Sequence, residues 1–153
     1  MQALELKVPP VAVFLICAAG MWALSRALPA AAIDLPYAAL VAIALAVLGG
    51  AIAVAGIFAF RRQSTTVNPT KPDAASSIVF TGVYRFTRNP MYLGVAAMLA
   101  AWGIYLTNIV ALFLLPLFVA YISRFQIKPE ERALLAKFGP DYADYMATVR
   151  RWL

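Results

Sequence analysis

The stretch NPMYLGVAAMLAAWGIYLTNIVALFLLPLFVAYIS, residues 89–123, decides the fold of this 153-residue chain, because none of its 35 residues is charged. As one α-helix it would measure roughly 50 Å at 1.5 Å per residue, whereas the hydrocarbon core of a bilayer is about 30 Å thick. The stretch must therefore fold back, and its polar pair Thr107-Asn108 lies near the middle. We expect two short membrane-spanning helices, at about residues 91–106 and 109–123.

Two further apolar runs precede this stretch, at residues 8–24 and 35–60. Hydrophobic residues make up 63% of the chain, well above the roughly 45–50% of a soluble domain, so lipid must cover the excess. The sequence predicts an all-α polytopic membrane protein with four transmembrane helices and a cytoplasmic, amphipathic C-terminal helical segment. We expect one domain, 1–153, with two spans in 1–60 and a loop, a helical hairpin and C-terminal helices in 61–153.

The basic residues indicate the orientation. Four spans put both termini on one side, and that side then holds twelve of the thirteen lysines and arginines, with only Arg26 opposite. The positive-inside rule places that side in the cytoplasm, so we expect a protein of a prokaryotic-type plasma (inner) membrane with both termini cytoplasmic. The net charge of +6 then suits anionic lipid headgroups, and no nucleic-acid partner is expected.

The composition also limits the chemistry. The chain has no histidine, and its one cysteine, Cys17, lies in an apolar run, so neither a metal site nor a disulfide is expected. Gly49, Gly50 and Gly56 lie among alanines in the second run, where small residues favour close helix packing.

The polar segments carry the features of a site. Asn89 and Pro90 suit the cap and the first turn of the third span, where exposed N–H groups can face an anion. After the fourth span, Pro129 is predicted to open a separate cytoplasmic helix with Glu130 and Glu131 in its first turn. We expect Glu131 to be solvated and Arg88 to support Glu130.

A second cytoplasmic helix is predicted after Gly139-Pro140, capped by Asp141. One face of it would carry the apolar and aromatic side chains of Tyr142, Tyr145, Val149 and Trp152. That face is suited to packing on the membrane surface or on the helix bundle.

Three motifs follow one another in the second half of the chain. They are Gly82-Val83-Tyr84, then Arg88-Asn89-Pro90-Met91-Tyr92, then Glu130-Glu131 with Leu134, Phe138-Gly139, Tyr142 and Tyr145. Over about residues 61–152 the chain thereby resembles the C-terminal half of the isoprenylcysteine carboxyl methyltransferases. Those enzymes are embedded in membranes, use S-adenosylmethionine and are related more distantly to phospholipid N-methyltransferases.

The resemblance implies S-adenosyl-L-methionine as cofactor and a set of residues that bind it. By position these are Ser76, Ser77, Ile78, Val79, Tyr84, Asn89, Pro90, Met91, Tyr92 and Glu130. Two positions depart from the family: Asn89 replaces its usual histidine, and Gln126 stands where the eukaryotic enzymes have an arginine that contacts substrate. Gln126 is therefore the candidate substrate-binding residue, and the acceptor group is left open.

Residue chemistry is consistent with methyl transfer, because in-line displacement from a sulfonium needs no metal and no covalent enzyme intermediate. Glu130 could bind the cofactor's ammonium, and Tyr84 and Tyr92 could stack on adenine or face the sulfonium, unless they only form an interfacial belt. No catalytic residue is predicted. We expect a lipophilic acceptor bearing a carboxylate, thiol or lipid amine. The alternatives are a membrane reductase using NADPH, a small four-span transporter and a scaffold.

Overall fold

The computed structural model describes residues 5–62 and 77–153, and within these ranges the chain is helical without a β-strand. The first three helices are α1 (Pro10–Ala27), α2 (Ala38–Arg62) and α3 (Pro90–Tyr105). Both α1 and α3 begin at a proline, whose fixed φ and missing N–H suit the first helical position. The all-α prediction is confirmed for the described part of the chain.

The chain folds back where the polar pair predicts. After α3, a turn at Thr107 leads into the short helix α4 (Ile109–Leu112). The buried Asn108 side chain stabilises this turn, because its Oδ1 accepts the Ala111 N–H at 3.1 Å and its Nδ2 donates to the Leu28 carbonyl at 2.9 Å. The helical hairpin expected between residues 91 and 123 is therefore present.

The fourth long helix does not end where the sequence predicts. Helix α5 (Leu114–Ile122) continues through a π-helical segment (Ser123–Ile127) into α6 (Lys128–Phe138), and Ile109–Phe138 forms one helix of 30 residues. Pro129 has no N–H for the carbonyl of Phe125, four residues earlier. That carbonyl instead accepts the N–H of Leu6 at 3.0 Å, so the helix continues past the proline.

Among residues 5–62 and 77–153, three helices are long and apolar enough to cross a membrane: Pro10–Ala27, Ala38–Arg62 and Ile109–Phe138. The fourth candidate, Pro90–Tyr105, is apolar but shorter. Length and composition thus agree with an integral membrane protein, while the count of four spans and their orientation stay predictions.

Helices α2 and α3 approach each other closely at small residues. A Cβ atom added to Gly94 would collide with the Gly49 carbonyl and would lie 2.9 Å from the Ala53 nitrogen. A Cβ atom on Gly56 would lie 3.0 Å from the Met91 side chain. The packing role predicted for Gly49 and Gly56 is confirmed, whereas Gly50 faces open space.

The last helix, α7 (Pro140–Thr148), packs on the bundle. Its N-cap is Gly139, at a φ of 55° that glycine adopts easily, and not the predicted Asp141, which lies in the first turn. Tyr142 and Tyr145 are buried. Val149 lies beyond the helix end, so only part of the predicted apolar face is helical.

Candidate functional site

A cavity of about 80 Å³ lies between the end of α2, the 3-10 turn Gly82–Arg85, the first turn of α3, the junction of the π-helical segment with α6, and α7. Its walls are formed by Phe60, Tyr84, Arg88, Asn89, Met91, Tyr92, Ile127, Glu130, Glu131, Leu134 and Tyr142. Gly82, at a φ of 61°, begins the turn that brings Tyr84 to this place. The Tyr84 ring packs edge-on against Phe60, with 5.3 Å between ring centroids.

Five of the predicted cofactor residues line this cavity: Tyr84, Asn89, Met91, Tyr92 and Glu130. The fold therefore brings these five residues together around one cavity, while their role in cofactor binding stays a prediction. The other predicted residues lie elsewhere. Pro90 is buried, and neither it nor Ser77, Ile78 or Val79 is a lining residue. Ser76 lies outside the described residues.

Gln126, the candidate substrate residue, does not line the cavity, although the next residue, Ile127, does. Its side chain is fully buried in the π-helical segment, and its Nε2 donates to the Val8 carbonyl at 2.6 Å. The amide therefore links the fourth helix to the segment before α1, and its substrate role stays a prediction.

Glu130 presents a carboxylate to the cavity. The Tyr92 hydroxyl donates a hydrogen bond of 2.5 Å to its Oε1, and the residue is partly buried. Among residues 5–62 and 77–153, no ion pair includes Glu130. The carboxylate can therefore still receive a cationic group from a ligand.

Glu131, the next residue, has the opposite surroundings. Its side chain is 8% exposed and pairs with two arginines. Arg151 binds it through two hydrogen bonds, Nε to Oε1 at 3.0 Å and Nη2 to Oε2 at 2.6 Å. Arg88 Nη2 donates to Oε1 at 2.9 Å. The expectation of a solvated Glu131 is wrong, and so is the expectation that Arg88 supports Glu130, because Arg88 binds Glu131.

The 149–153 segment lies against the loop that leads into α3. The Arg151 carbonyl accepts from Asn89 Nδ2 at 2.9 Å and from the Thr87 hydroxyl at 3.2 Å, while the Arg88 N–H donates to the Arg150 carbonyl at 3.0 Å. Asn89 is the N-cap residue of α3 as predicted, but its side chain makes no cap hydrogen bond. The amide instead fixes the loop to residue 151.

Comparison with known proteins identifies the family. A sequence profile described as phospholipid methyltransferase matches residues 37–141, which is more than half of the chain. The chain belongs to the phospholipid methyltransferase family. The matched range contains every residue that lines the cavity except Tyr142. Membership confirms the prediction of a membrane methyltransferase family, while the finer resemblance to the isoprenylcysteine carboxyl methyltransferases stays a prediction.

One curated relative is a protein of Haemophilus influenzae (strain ATCC 51907 / DSM 11121 / KW20 / Rd) whose description is "Uncharacterized protein". It is 43% identical to this chain over 63 residues, which are 41% of this chain and the whole of that protein. No solved structure matches the chain significantly.

Two tyrosines of this family member stay neutral in the site. Burial raises the pKa of Tyr84, and the charge of Glu130 raises it further; burial also raises the pKa of Tyr142. The Tyr84 carbonyl accepts the Tyr145 hydroxyl at 2.8 Å, so α7 is fixed to the 3-10 turn. Both phenols therefore act as neutral polar rings and not as phenolates.

The sequence did not predict that the following residues line the cavity: Phe60, Ile127, Glu131, Leu134 and Tyr142. Leu134 follows Glu130 by four residues on a helix, so the helical period places both on one face, and this signal could have found it. Tyr142 belongs to the third motif on which the family resemblance rests, but the sequence predicts for it only a packing role on the apolar face of the last helix. Phe60 and Ile127 look like ordinary residues of apolar helices and carry no such signal.

Proposed function

We propose that this protein transfers a methyl group from S-adenosylmethionine to a lipophilic acceptor at the cytoplasmic face of a prokaryotic plasma membrane. The observation that carries the proposal is the Glu130 carboxylate, which faces the cavity and has no cationic partner among the described residues. Family membership supports the reaction class.

The lining residues fit the cofactor by their chemistry. Glu130 can accept charge-assisted hydrogen bonds from the ammonium of the methionine part. The neutral rings of Tyr84 and Tyr92 can stack on adenine or attract the sulfonium cation. When bound, S-adenosylmethionine supplies an electrophilic methyl group, and the protein's part is to hold donor and acceptor in line and to exclude water.

Binding requires the lining side chains to move apart. The cavity measures about 80 Å³, whereas pockets for small ligands typically measure about 300–1,000 Å³. The Tyr92–Glu130 hydrogen bond is the polar contact that a ligand ammonium would share or replace. We therefore expect Tyr92 to change its rotamer or its hydrogen-bond partner when the cofactor binds.

The surroundings of the cavity favour an amine over a carboxylate as the acceptor group. An acceptor carboxylate needs a cation, but the guanidinium of Arg88, the arginine in the lining, is already paired with Glu131. A lipid amine needs no such cation and agrees with the family description. Methylation of an isoprenylcysteine carboxylate, which the resemblance to the isoprenylcysteine carboxyl methyltransferases implies, is therefore less favoured than methylation of a lipid amine. A thiol acceptor stays open.

Titration calorimetry in detergent can test the proposal with two ligands, S-adenosylhomocysteine and NADPH. We expect S-adenosylhomocysteine to bind and NADPH not to bind, because the aromatic, carboxylate-bearing cavity suits a zwitterionic nucleoside better than a polyanion. Binding of NADPH without binding of S-adenosylhomocysteine would favour the membrane reductase instead. Failure of both ligands with folded protein would favour a transporter or scaffold.

A further inference from the structure

The two adjacent glutamates at the start of α6 have different partners, although both line the same cavity. Within the described part of the chain, Glu131 pairs with both Arg88 and Arg151, whereas Glu130 accepts a hydrogen bond from the Tyr92 hydroxyl and pairs with no cation. We propose that Glu131 is a positioning residue that holds these two arginines away from Glu130, so that Glu130 stays available to a cationic ligand group. The inference rests on the proposed function, in which that group is the ammonium of the methyl donor.

Glu131 is the carboxylate that pairs with both arginines at this site. Two guanidinium groups and two carboxyl groups lie close together there, and among the described residues neither arginine pairs with Glu130. Without the Glu131 charge, two buried or partly buried arginines would face a single carboxylate. Coulomb attraction is strong where water is scarce, so an arginine would pair with Glu130. A ligand cation would then have to displace an arginine.

Arg88 is the competitor that matters most, because it shares the cavity lining with Glu130. Its side chain is 8% exposed, and its Nε is buried without a hydrogen-bond partner among the described residues. Its Nη1 donates to the carbonyls of Met146 and Val149 at 2.7 and 2.5 Å. Backbone carbonyls hold the guanidinium in place, but among the residues that the structure describes Glu131 is the one carboxylate that pairs with it.

A second effect comes through Arg151. While its guanidinium binds Glu131, its carbonyl accepts from Asn89 Nδ2, so the 149–153 segment joins α6 to the residue before α3. This contact uses one of the two N–H groups of Asn89 Nδ2 and leaves its Oδ1 able to accept from a ligand donor. Glu131 therefore also contributes, through Arg151, to the orientation of the Asn89 side chain.

Glu131 could act purely as a structural ion-pair partner, or it could keep Arg88 away from Glu130. These two roles predict different effects of removing Arg88 on ligand affinity. If Glu131 only cross-linked the helices, removal of Arg88 from a Glu131→Gln variant would lower ligand affinity further or leave it unchanged. If Glu131 keeps Arg88 away from Glu130, removal of Arg88 restores affinity, because the competing cation is gone.

The test measures S-adenosylhomocysteine binding by calorimetry in detergent for four variants: Glu131→Gln, Glu131→Gln with Arg88→Gln, Glu130→Gln and Arg150→Gln. Thermal unfolding of each variant is followed in parallel. Arg150→Gln is the matched control, because it removes an exposed arginine beside Arg151. We expect at least about tenfold weaker binding in Glu131→Gln, which corresponds to about 1.4 kcal/mol, and recovery to within about threefold of wild type in the double variant.

The inference is overturned if Glu131→Gln binds as wild type does, or if the double variant binds no better than the single one. If the Glu131→Gln variant does not fold, the double variant decides between the two roles, because it lacks the Arg88 cation that Glu131 pairs with in the native protein. Affinity near wild type then supports the inference, and a loss beyond about tenfold overturns it. Wild-type binding in Glu130→Gln would instead contradict the proposed function, so the two failures are distinguishable.

Discussion

Replacement of Glu130 by glutamine removes the charge that the proposed function assigns to cofactor binding and keeps the shape of the side chain. The glutamine carbonyl can still accept the hydroxyl hydrogen bond of Tyr92, which is 2.5 Å long in the native protein. The substitution also leaves the ion pairs of Glu131 with Arg88 and Arg151 in place. The variant therefore isolates the electrostatic part of ligand binding.

The magnitude follows from the surroundings of the carboxylate. Removing one partner of a buried, charge-assisted pair typically costs about 2–5 kcal/mol. Glu130 is partly buried, so water retains some access and the lower half of that range applies. The expected loss of affinity for S-adenosylhomocysteine is roughly thirtyfold to several-hundredfold, since each 1.4 kcal/mol is a factor of ten.

Titration calorimetry in detergent gives the affinity, and thermal unfolding shows whether the variant is folded. Glu131→Gln is unsuitable as a control, because that carboxylate is buried and paired with two arginines. Asp144→Asn is suitable, because Asp144 is an exposed acid on α7 outside the cavity lining. Wild-type affinity in a folded Glu130→Gln variant would refute the assignment of Glu130 as the ammonium partner.

Three further predictions concern orientation, acceptor and packing. In a Cys17→Ala background, a membrane-impermeant thiol reagent should label Asp34→Cys in intact cells and leave Asp144→Cys unlabelled, and the reverse pattern would overturn the orientation. A farnesylated cysteine analogue should be methylated weakly or not at all, because Arg88 is already paired, so robust turnover at micromolar levels would restore the carboxylate acceptor. Gly94→Ala should destabilise the protein by about 1–3 kcal/mol in thermal unfolding, since the added methyl group collides with α2. Gly50→Ala should be near neutral, because its added methyl group meets open space. Equal effects of the two substitutions would contradict the helix packing.

The helical hairpin could be predicted because lipid leaves the chain few choices. An uncharged stretch longer than a bilayer must turn back, and Thr107-Asn108 was the polar pair near its middle. The structure shows how the pair works, with Asn108 capping α4 and binding the Leu28 carbonyl. The composition of the stretch therefore determined both the number of its helices and the place where they separate.

The end of the fourth helix could not be predicted from local rules. Pro129 frees the carbonyl of Phe125, and a freed carbonyl usually marks a helix break. Here the N–H of Leu6 satisfies that carbonyl, and nearby Gln126 donates to the Val8 carbonyl. Both partners lie more than a hundred residues away in sequence, so only the tertiary structure explains why the helix continues.

Contacts between residues distant in sequence also explain why the two glutamates, Glu130 and Glu131, could not be distinguished from the sequence. At the first turn of a helix, Glu130 and Glu131 look alike, and either could be the solvated one. Their roles depend on Arg88 and Arg151, which lie 43 and 20 residues from Glu131. The resemblance assigned cofactor binding to Glu130 alone, although both glutamates line the cavity, and nothing local indicated that Glu131 would be paired with both arginines.

The position of Glu130 along the fourth helix bears on the kind of acceptor. Glu130 lies 21 residues after Ile109, the first residue of that helix, a rise of about 30 Å at 1.5 Å per residue. This rise matches the thickness of a hydrocarbon core, so if Ile109 lies at one boundary, Glu130 lies at the other. Phe118 and Ile122, between the two, are buried in the apolar core of the bundle. With that placement the cavity would lie at the depth of lipid headgroups, where an acceptor with an apolar tail could reach a polar methyl donor without leaving the bilayer, as the proposed function requires.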